Sequence, residues 1–138
     1  MAKWLIPVVL IAATACATSP KLVDSDPFPD DGNLTAAVPL ELDDLIADRV
    51  GPAVDDRTDW KTFQLRSASR VEVRFTAAGA IGLNVYEEDG AHVGSLTGGG
   101  GQNQAFVANL SAGRYLVEIS AQGAVSPIDY TLEVETLP

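Results

Sequence analysis

The sequence predicts an all-β fold, an antiparallel β-sandwich. Apolar and polar residues alternate with a period of two in several runs, for example at Val71, Val73 and Phe75, and this alternation is typical of strands with one buried face. Gly, Pro, Asn and Asp interrupt these runs at short intervals, which favours many short strands joined by turns. No run after residue 40 has a convincing helical period. Two sheets that bury their apolar faces against each other account for this pattern.

The first fifteen residues are predicted to be a secretory signal. Lys3 gives a positive start, the segment up to Ala15 carries no other charge, and Ala13-Thr14-Ala15-Cys16 places small residues before the only cysteine of the chain. This order is that of a cleaved signal peptide, and a membrane-spanning helix needs a longer apolar run, of about 20 residues. The run before Cys16 resembles the lipobox of bacterial lipoproteins. The resemblance implies cleavage before Cys16 and lipidation of its thiol, and an ordinary signal peptide is the alternative.

The residue after the cysteine bears on localisation. In enterobacterial lipoproteins an Asp at this place favours the inner membrane, and this chain has Ala17. By resemblance we expect a lipid-anchored protein of the bacterial outer membrane, on its periplasmic or cell-surface face. Two or three acyl chains give stable anchoring, whereas a single chain gives only marginal binding.

Residues 16–39 are predicted to be the lipidated cysteine and an extended, disordered tether. The segment is rich in Pro and Asp, and both proline and like charges keep a chain extended. The alternative is an ordered strap packed on the domain through Leu34 and Val38. The folded domain is expected to occupy residues 40–138.

Within the domain each predicted strand follows from its alternation. Residues 42–50 fit either one helical turn or a first strand, because Leu42, Leu45, Ile46 and Val50 also suit one helical face. Asp89-Gly90 predicts a tight hairpin turn, since both residues tolerate positive φ. The remaining strands are predicted at 60–65, 71–75, 81–85, 105–110, 115–119 and 130–134.

Four of these segments resemble, in order and spacing, motifs of the bacterial pre-peptidase C-terminal domain family. They are Asp59-Trp60-Lys61-Thr62-Phe63, the run 83–90 that ends in Asp89-Gly90, the run 112–119 around Gly113 and Tyr115, and the closing Tyr130-Thr131-Leu132-Glu133-Val134. The resemblance implies a small jelly-roll-like β-sandwich that acts as a non-catalytic accessory module binding protein or polysaccharide. Such modules usually follow a secreted hydrolase. No such domain precedes this one, so a protease-linked role is not expected.

Each residue of these motifs also has a structural interpretation. Trp60 and Phe63 are expected in the core or at a sheet edge. Tyr115 and Tyr130 are expected to point inward with their hydroxyls at the rim, and Asp59 is expected to brace a turn.

The sequence does not predict an enzyme. His92 is the only histidine, and Ser95 near it lacks the Gly-x-Ser-x-Gly elbow of a nucleophile. His92 is therefore expected on the solvent side of a strand. The glycines at 98–101 lack the Lys-Ser or Lys-Thr of a phosphate loop, so we interpret them as a loop.

No cofactor is required by the sequence, and calcium is the one metal it allows. Calcium takes six to eight oxygen ligands, and Asp55, Asp56 and Asp59 lie close together. Arg57 among them, and the absence of a regular ligand spacing, favour the alternative of a solvated acidic loop.

The formal net charge of −10 excludes nucleic acid as an expected partner, because phosphates repel an acidic chain. The expected function is to bind or scaffold a protein or glycan of the envelope. The alternative is a structural subunit that docks into a larger envelope or secretion assembly by an edge strand or by the tether. The candidate binding loops contain Glu87, Glu88, Asp89, His92, Gln102 and Asn103.

Overall fold

The computed structural model describes residues 21–22, 37–51, 57–121 and 126–138, and these residues form strands and turns. The ten strands are β1 (Lys21–Leu22), β2 (Val38–Pro39), β3 (Leu45–Val50), β4 (Thr58–Leu65), β5 (Ser69–Ala77), β6 (Ile81–Glu87), β7 (His92–Gly98), β8 (Asn103–Leu110), β9 (Gly113–Ser120) and β10 (Ile128–Leu137). In this part of the chain no helix is long and apolar enough to cross a membrane.

The strands form two five-stranded sheets. Sheet A has the order β1-β3-β10-β5-β8, and sheet B has the order β2-β4-β9-β6-β7. The short strands β1 and β2 pair in parallel with β3 and β4, and every other pair is antiparallel. Apart from the β6–β7 hairpin, each strand lies in the sheet opposite to that of the strand before it. The predicted β-sandwich is confirmed.

The core lies between the sheets and is made by the inward phase of each long strand. Phe63 stacks on Tyr115 with ring centroids 5.1 Å apart, and Phe75 meets Tyr130 at 5.8 Å. The other members of the core are mostly aliphatic: Val50, Leu65, Val71, Val73, Ala77, Ile81, Leu83, Val85, Leu110, Val117, Ile119, Ala121, Leu132 and Val134.

The predicted hairpin turn is confirmed between β6 and β7. The N–H of Gly90 donates to the carbonyl of Glu87 at 2.9 Å, and Gly90 has φ of 95°. This is the left-handed region, which glycine adopts without steric cost. Of the two alternatives for residues 42–50, the strand is observed from Leu45, and Leu42 lies in the preceding turn.

Two pieces of the segment predicted to be a tether pair with the sheets. Lys21 and Leu22 are opposite Ile46 and Ala47, and Val38 is opposite Lys61. At these two places the chain is paired with the domain by its backbone. The signal at 1–15, Cys16 and Leu34 lie outside the described residues.

Candidate binding face on sheet B

The outer surface of sheet B carries a cluster of aromatic and polar side chains, of which only Glu118 is charged. Its position follows from strand alternation: the odd-numbered residues of β4 and β6 point into the core, so the even-numbered ones point outward. We call this surface the Trp60 face, and it consists of Trp60, Asn84, Tyr86, His92, Ser95 and Glu118.

Trp60 and Tyr86 form the apolar part of the Trp60 face. Their ring centroids are 6.4 Å apart with a tilt of 38°, and both side chains are partly exposed. Thr62 and Leu116, which lie opposite each other in the same sheet, are 6% and 8% exposed although they point away from the core. The rings therefore belong to a partly dehydrated patch rather than to a fully solvated sheet surface.

A chain of polar groups borders the two rings. His92 Nε2 donates to Asn84 Oδ1 at 3.3 Å, and Asn84 Nδ2 donates to Glu118 Oε1 at 3.2 Å. The His92 ring meets the Tyr86 ring edge-on at 5.5 Å. A register shift between Val85 and Tyr86 brings His92 opposite Tyr86, and β-bulges of this kind re-aim a side chain at the end of a pairing.

The same surroundings act on the Tyr86 phenol. Its partial burial raises the pKa of Tyr86 above the ordinary value of 10.0, because the phenolate is poorly solvated there, and the negative charge of Glu118 raises it further. Tyr86 is therefore a neutral phenol, with one O–H to donate, over the whole physiological pH range.

The Trp60 face can bind a ligand that has a flat apolar side and polar edges. The indole and phenol rings offer surface for stacking, and Asn84, His92 and Glu118 offer donors and acceptors around it. A few convergent polar groups beside an aromatic surface are typical of ligand sites.

The structure divides the candidate loop residues between the two ends of β7. Glu87, Glu88 and Asp89 lie at the β6–β7 turn, where His92 begins β7. At the other end, Gln102 lies in the β7–β8 connection and Asn103 begins β8. Of these residues only His92 belongs to the Trp60 face, and as expected it is exposed.

The acidic turn borders an open depression outside the Trp60 face. It is lined by 87–89 and 111–115. Arg114 pairs with Glu88 at 3.5 Å, and the Tyr115 hydroxyl donates to the Ser111 carbonyl at 2.7 Å. The hydroxyl of Tyr115 thus ends beside a loop, as predicted for this residue.

Two expectations about the core are wrong. Asp59 does not brace a turn: it lies within β4, is 1% exposed, and accepts the Tyr130 hydroxyl at 2.7 Å. The hydroxyl of Tyr130 consequently ends inside the core and not at the rim. The inward direction of both tyrosines is nevertheless confirmed.

Trp60 is not a core residue. Phe63 is in the core as expected, with 2% exposure, but Trp60 has the opposite phase in β4. The signal was already present in the sequence, because three positions separate Trp60 from Phe63 and an odd separation places two strand residues on opposite faces.

Asp55 and Asp56, the other two predicted calcium ligands, lie outside the described residues. Within the described ranges no group of three or more His, Cys, Asp or Glu side chains is close enough together to hold a metal ion. Asp59 is 1% exposed.

No family model and no curated protein matches this chain. Among solved structures it is similar to the pre-peptidase C-terminal domain of a collagenase from Bacillus anthracis, with TM-score 0.61 and 18% identity over 71% of this chain and 93% of that one. Aeromonas hydrophila PliG, a periplasmic inhibitor of g-type lysozyme, matches with TM-score 0.45 and 14% identity over 71% and 95%. The carbohydrate-binding module CBM36, in complex with calcium and xylotriose, matches with TM-score 0.36 and 14% identity over 70% and 76%. The first likeness confirms that the sandwich has the fold of a pre-peptidase C-terminal domain.

Proposed function

We propose that this chain is a non-catalytic binding module of the bacterial envelope, and that it holds a glycan of neutral sugar rings on the Trp60 face. The observation that carries the proposal is the partly exposed Trp60–Tyr86 pair on a sheet surface that also presents Asn84 and His92. A sugar ring has one C–H side that packs on an aromatic ring and hydroxyls that need donors and acceptors at its edge.

The charge of the chain favours a neutral glycan over an acidic one. The net charge is −10, and residues 91–113, which include all of β7 and β8, contain no Asp, Glu, Lys or Arg. An acidic polymer would be repelled by the chain as a whole, whereas uncharged hydroxyls pair well with Asn84, His92 and Ser95, the uncharged polar side chains of the Trp60 face. Calcium does not enter this proposal.

The proposed position of the module is the outer membrane, through a lipid on Cys16. Its support is the sequence around Cys16. The proposed lipid is tested by partition of the full-length protein between detergent-rich and aqueous phases. The expected result is that the protein enters the detergent phase and that Cys16→Ser moves it to the aqueous phase. Equal partition of the two proteins would contradict the anchor.

Glycan binding is tested by co-sedimentation of the full-length protein, in mild detergent, with purified insoluble envelope polysaccharide. We expect wild type in the pellet and Trp60→Ala in the supernatant. Arg74→Ala, which removes a side chain from the outer face of sheet A, is the matched control and should sediment like wild type. If Trp60→Ala sediments as well as wild type does, the Trp60 face is not the binding surface.

A second candidate function is docking to a protein by an edge strand. One observation favours it: β7 is one edge of sheet B and β8 is one edge of sheet A, and neither carries a charged residue, whereas edge strands are usually protected by charge. Val107, on the outer side of β8, is 45% exposed. In a pull-down from membranes, a partner that adds a strand to this edge should be lost with Val107→Lys and kept with Trp60→Ala. The glycan proposal predicts that binding to polysaccharide is lost with Trp60→Ala and kept with Val107→Lys.

A further inference from the structure

Four polar side chains lie inside the core, among otherwise mainly apolar neighbours. Lys61 and Asp48 have side chains 0% and 2% exposed, and Asp59 and Tyr130 are 1% and 2% exposed as residues. We call them the buried quartet. Lysine and aspartate are almost never this deeply buried unless they are paired.

The fold brings the buried quartet together from both sheets. Asp59 and Lys61 are two positions apart in β4 of sheet B, so they share its inward face. Asp48 of β3 and Tyr130 of β10 are directly opposite each other in sheet A. Lys61 therefore extends across the space between the sheets to reach Asp48.

The contacts place an amine next to a carboxyl group. Lys61 Nζ lies 2.5 Å from Asp48 Oδ2. The Tyr130 hydroxyl lies 2.7 Å from Asp59 Oδ2 and 3.3 Å from the same Oδ2 of Asp48. The buried site thus contains a nucleophile, the Lys61 amine, in contact with the Asp48 carboxyl group. The Tyr130 phenol connects that carboxyl group to a second one, on Asp59.

We propose that Lys61 and Asp48 form an intramolecular isopeptide bond, an amide between Nζ and Cγ that joins the two sheets. As an ion pair, the two groups lose their hydration on burial, and Coulomb attraction often fails to compensate that loss. The amide carries no charge and releases one water molecule. The two groups are already in contact, and well-oriented intramolecular reactions reach effective molarities of about 10⁵–10⁸ M.

The step balances without a cofactor or an oxidant. The Lys61 ammonium gives one proton to Oδ2 of Asp48, which leaves a neutral amine and a carboxylic acid. The nitrogen lone pair attacks Cγ, and the C–N bond forms. The nitrogen then releases a second proton, which reaches Oδ2, and this oxygen departs as water while the carbonyl re-forms.

Tyr130 and Asp59 are positioning residues for the second proton. The Tyr130 hydroxyl is within hydrogen-bond distance of Oδ2 of Asp48, the oxygen that leaves, and it donates to Asp59 behind it. A carboxylate and a phenol in contact can take up a proton and return it, as general acid–base groups do.

The bond is tested by peptide mapping of the full-length protein purified from cells. Trypsin cuts after Lys21, Arg49, Arg57, Lys61 and Arg66, but an acylated Lys61 is not cut. We expect peptides 22–49 and 58–66 to appear as one linked species, with the summed mass less one water molecule, and peptide 58–61 to be lost from the digest. Separate peptides 22–49, 58–61 and 62–66 would overturn the proposal.

Two variants serve as controls. The first distinguishes the isopeptide bond from a missed tryptic cleavage, and the second distinguishes a role of Asp59 in the reaction from a purely structural role. Lys61→Met also removes the cutting site, but it must give free 58–66 and free 22–49. Asp59→Asn keeps a polar group beside Tyr130 and removes the proton acceptor, so the share of linked peptide should fall relative to wild type. An unchanged linked share in Asp59→Asn would overturn the role of Asp59 in the reaction, whatever its effect on the melting temperature.

Discussion

The two outer faces of the sandwich have the same strand geometry and opposite chemistry. On sheet A, Arg74 pairs with Glu72 at 2.6 Å and also contacts Glu133 and Glu135 of the neighbouring strand. On sheet B, the outward positions of β4 and β6 carry Trp60 and Tyr86, and Glu118 of β9, opposite Trp60, is the one charged member of the Trp60 face. A sandwich whose surface served only solubility would carry clustered charges on the outer faces of both sheets.

The difference shows what each face is suited to do. Charged pairs on a sheet surface hold water and discourage association. Aromatic rings left partly in water are unfavourable to the isolated chain, and such patches mark interaction sites. This contrast supports the proposal that the Trp60 face binds a ligand, whereas the charges on the outer face of sheet A favour solubility.

The largest expected effect tests which face of sheet B points into the core. A methyl group added at Gly98 would lie 2.7 Å from a ring carbon of Phe75 and 2.9 Å from Cβ of Ala77, whereas at Gly82 it would meet nothing within 4 Å. Gly98→Ala should lower the free energy of unfolding by roughly 1–3 kcal/mol, as overpacking does. Gly82→Ala should raise it by about 0.5 kcal/mol, because glycine is costly within a strand. Urea unfolding of both variants checks this, and equal midpoints would contradict the assignment of the two sides.

The next effect concerns Trp60 itself. A fully buried Trp→Ala substitution costs about 3–5 kcal/mol, and the partly exposed Trp60 should cost about 1–2 kcal/mol when replaced by Ala. Thermal unfolding measures this cost. A loss as large as that of a core residue would mean that Trp60 serves stability, and it would break the contrast between the two faces.

A smaller effect is expected on the outer face of sheet A. Arg74→Ala leaves Glu72, Glu133 and Glu135 close together without their cation, so the melting temperature should fall slightly. Added salt should shrink the difference from wild type, since it screens exposed charges. A difference that does not change with salt would show that Arg74 acts by packing. Trp60→Ala, whose effect is apolar, is the control.

The smallest effect is the titration of Tyr86. Its pKa in the folded chain is raised above 10.0. The contribution of Tyr86 to the free energy of unfolding is therefore fully present below pH 10, and it declines as the pH rises from 10 towards the pKa of Tyr86 in the folded chain. Difference spectra of wild type and Tyr86→Phe should place the ionisation of Tyr86 above that of an exposed tyrosine. Glu118→Gln should move it part of the way back, and no movement would remove Glu118 as a cause.

The sequence predicts the strands well and the polar contacts between them poorly. The alternation at Val71, Val73 and Phe75 and the turn at Asp89-Gly90 are local signals, and the structure confirms both. The sequence alternation also places Lys61 on the same face as Phe63. The partner that permits its burial, Asp48, comes from a strand in the other sheet. Which strands face each other across a core is not a local property, so the buried quartet could not be found by pattern alone.

The same reason explains the errors at Asp59 and Tyr130. An Asp before Trp60 suits a turn by local preference, and a Tyr hydroxyl usually reaches water. Each residue instead satisfies the other within the core. The Trp60 face is a different kind of miss. The odd separation of Trp60 from Phe63 already places the two residues on opposite faces of β4, and the expectation of a core position did not take that signal into account.

The most direct test of the binding proposal uses the fluorescence of Trp60. The chain has two tryptophans, Trp4 and Trp60. Trp4 lies in the predicted signal and leaves with it, and the Trp4→Phe variant also removes its signal from any uncleaved protein, so the fluorescence reports the Trp60 face alone. Titration with soluble neutral oligosaccharides from the cell envelope should shift the emission of Trp60 to shorter wavelength and saturate, and Asn84→Ala should weaken the apparent affinity. Emission that stays unchanged by oligosaccharide, in a chain that still sediments with the intact polysaccharide, would contradict the assignment of binding to this face.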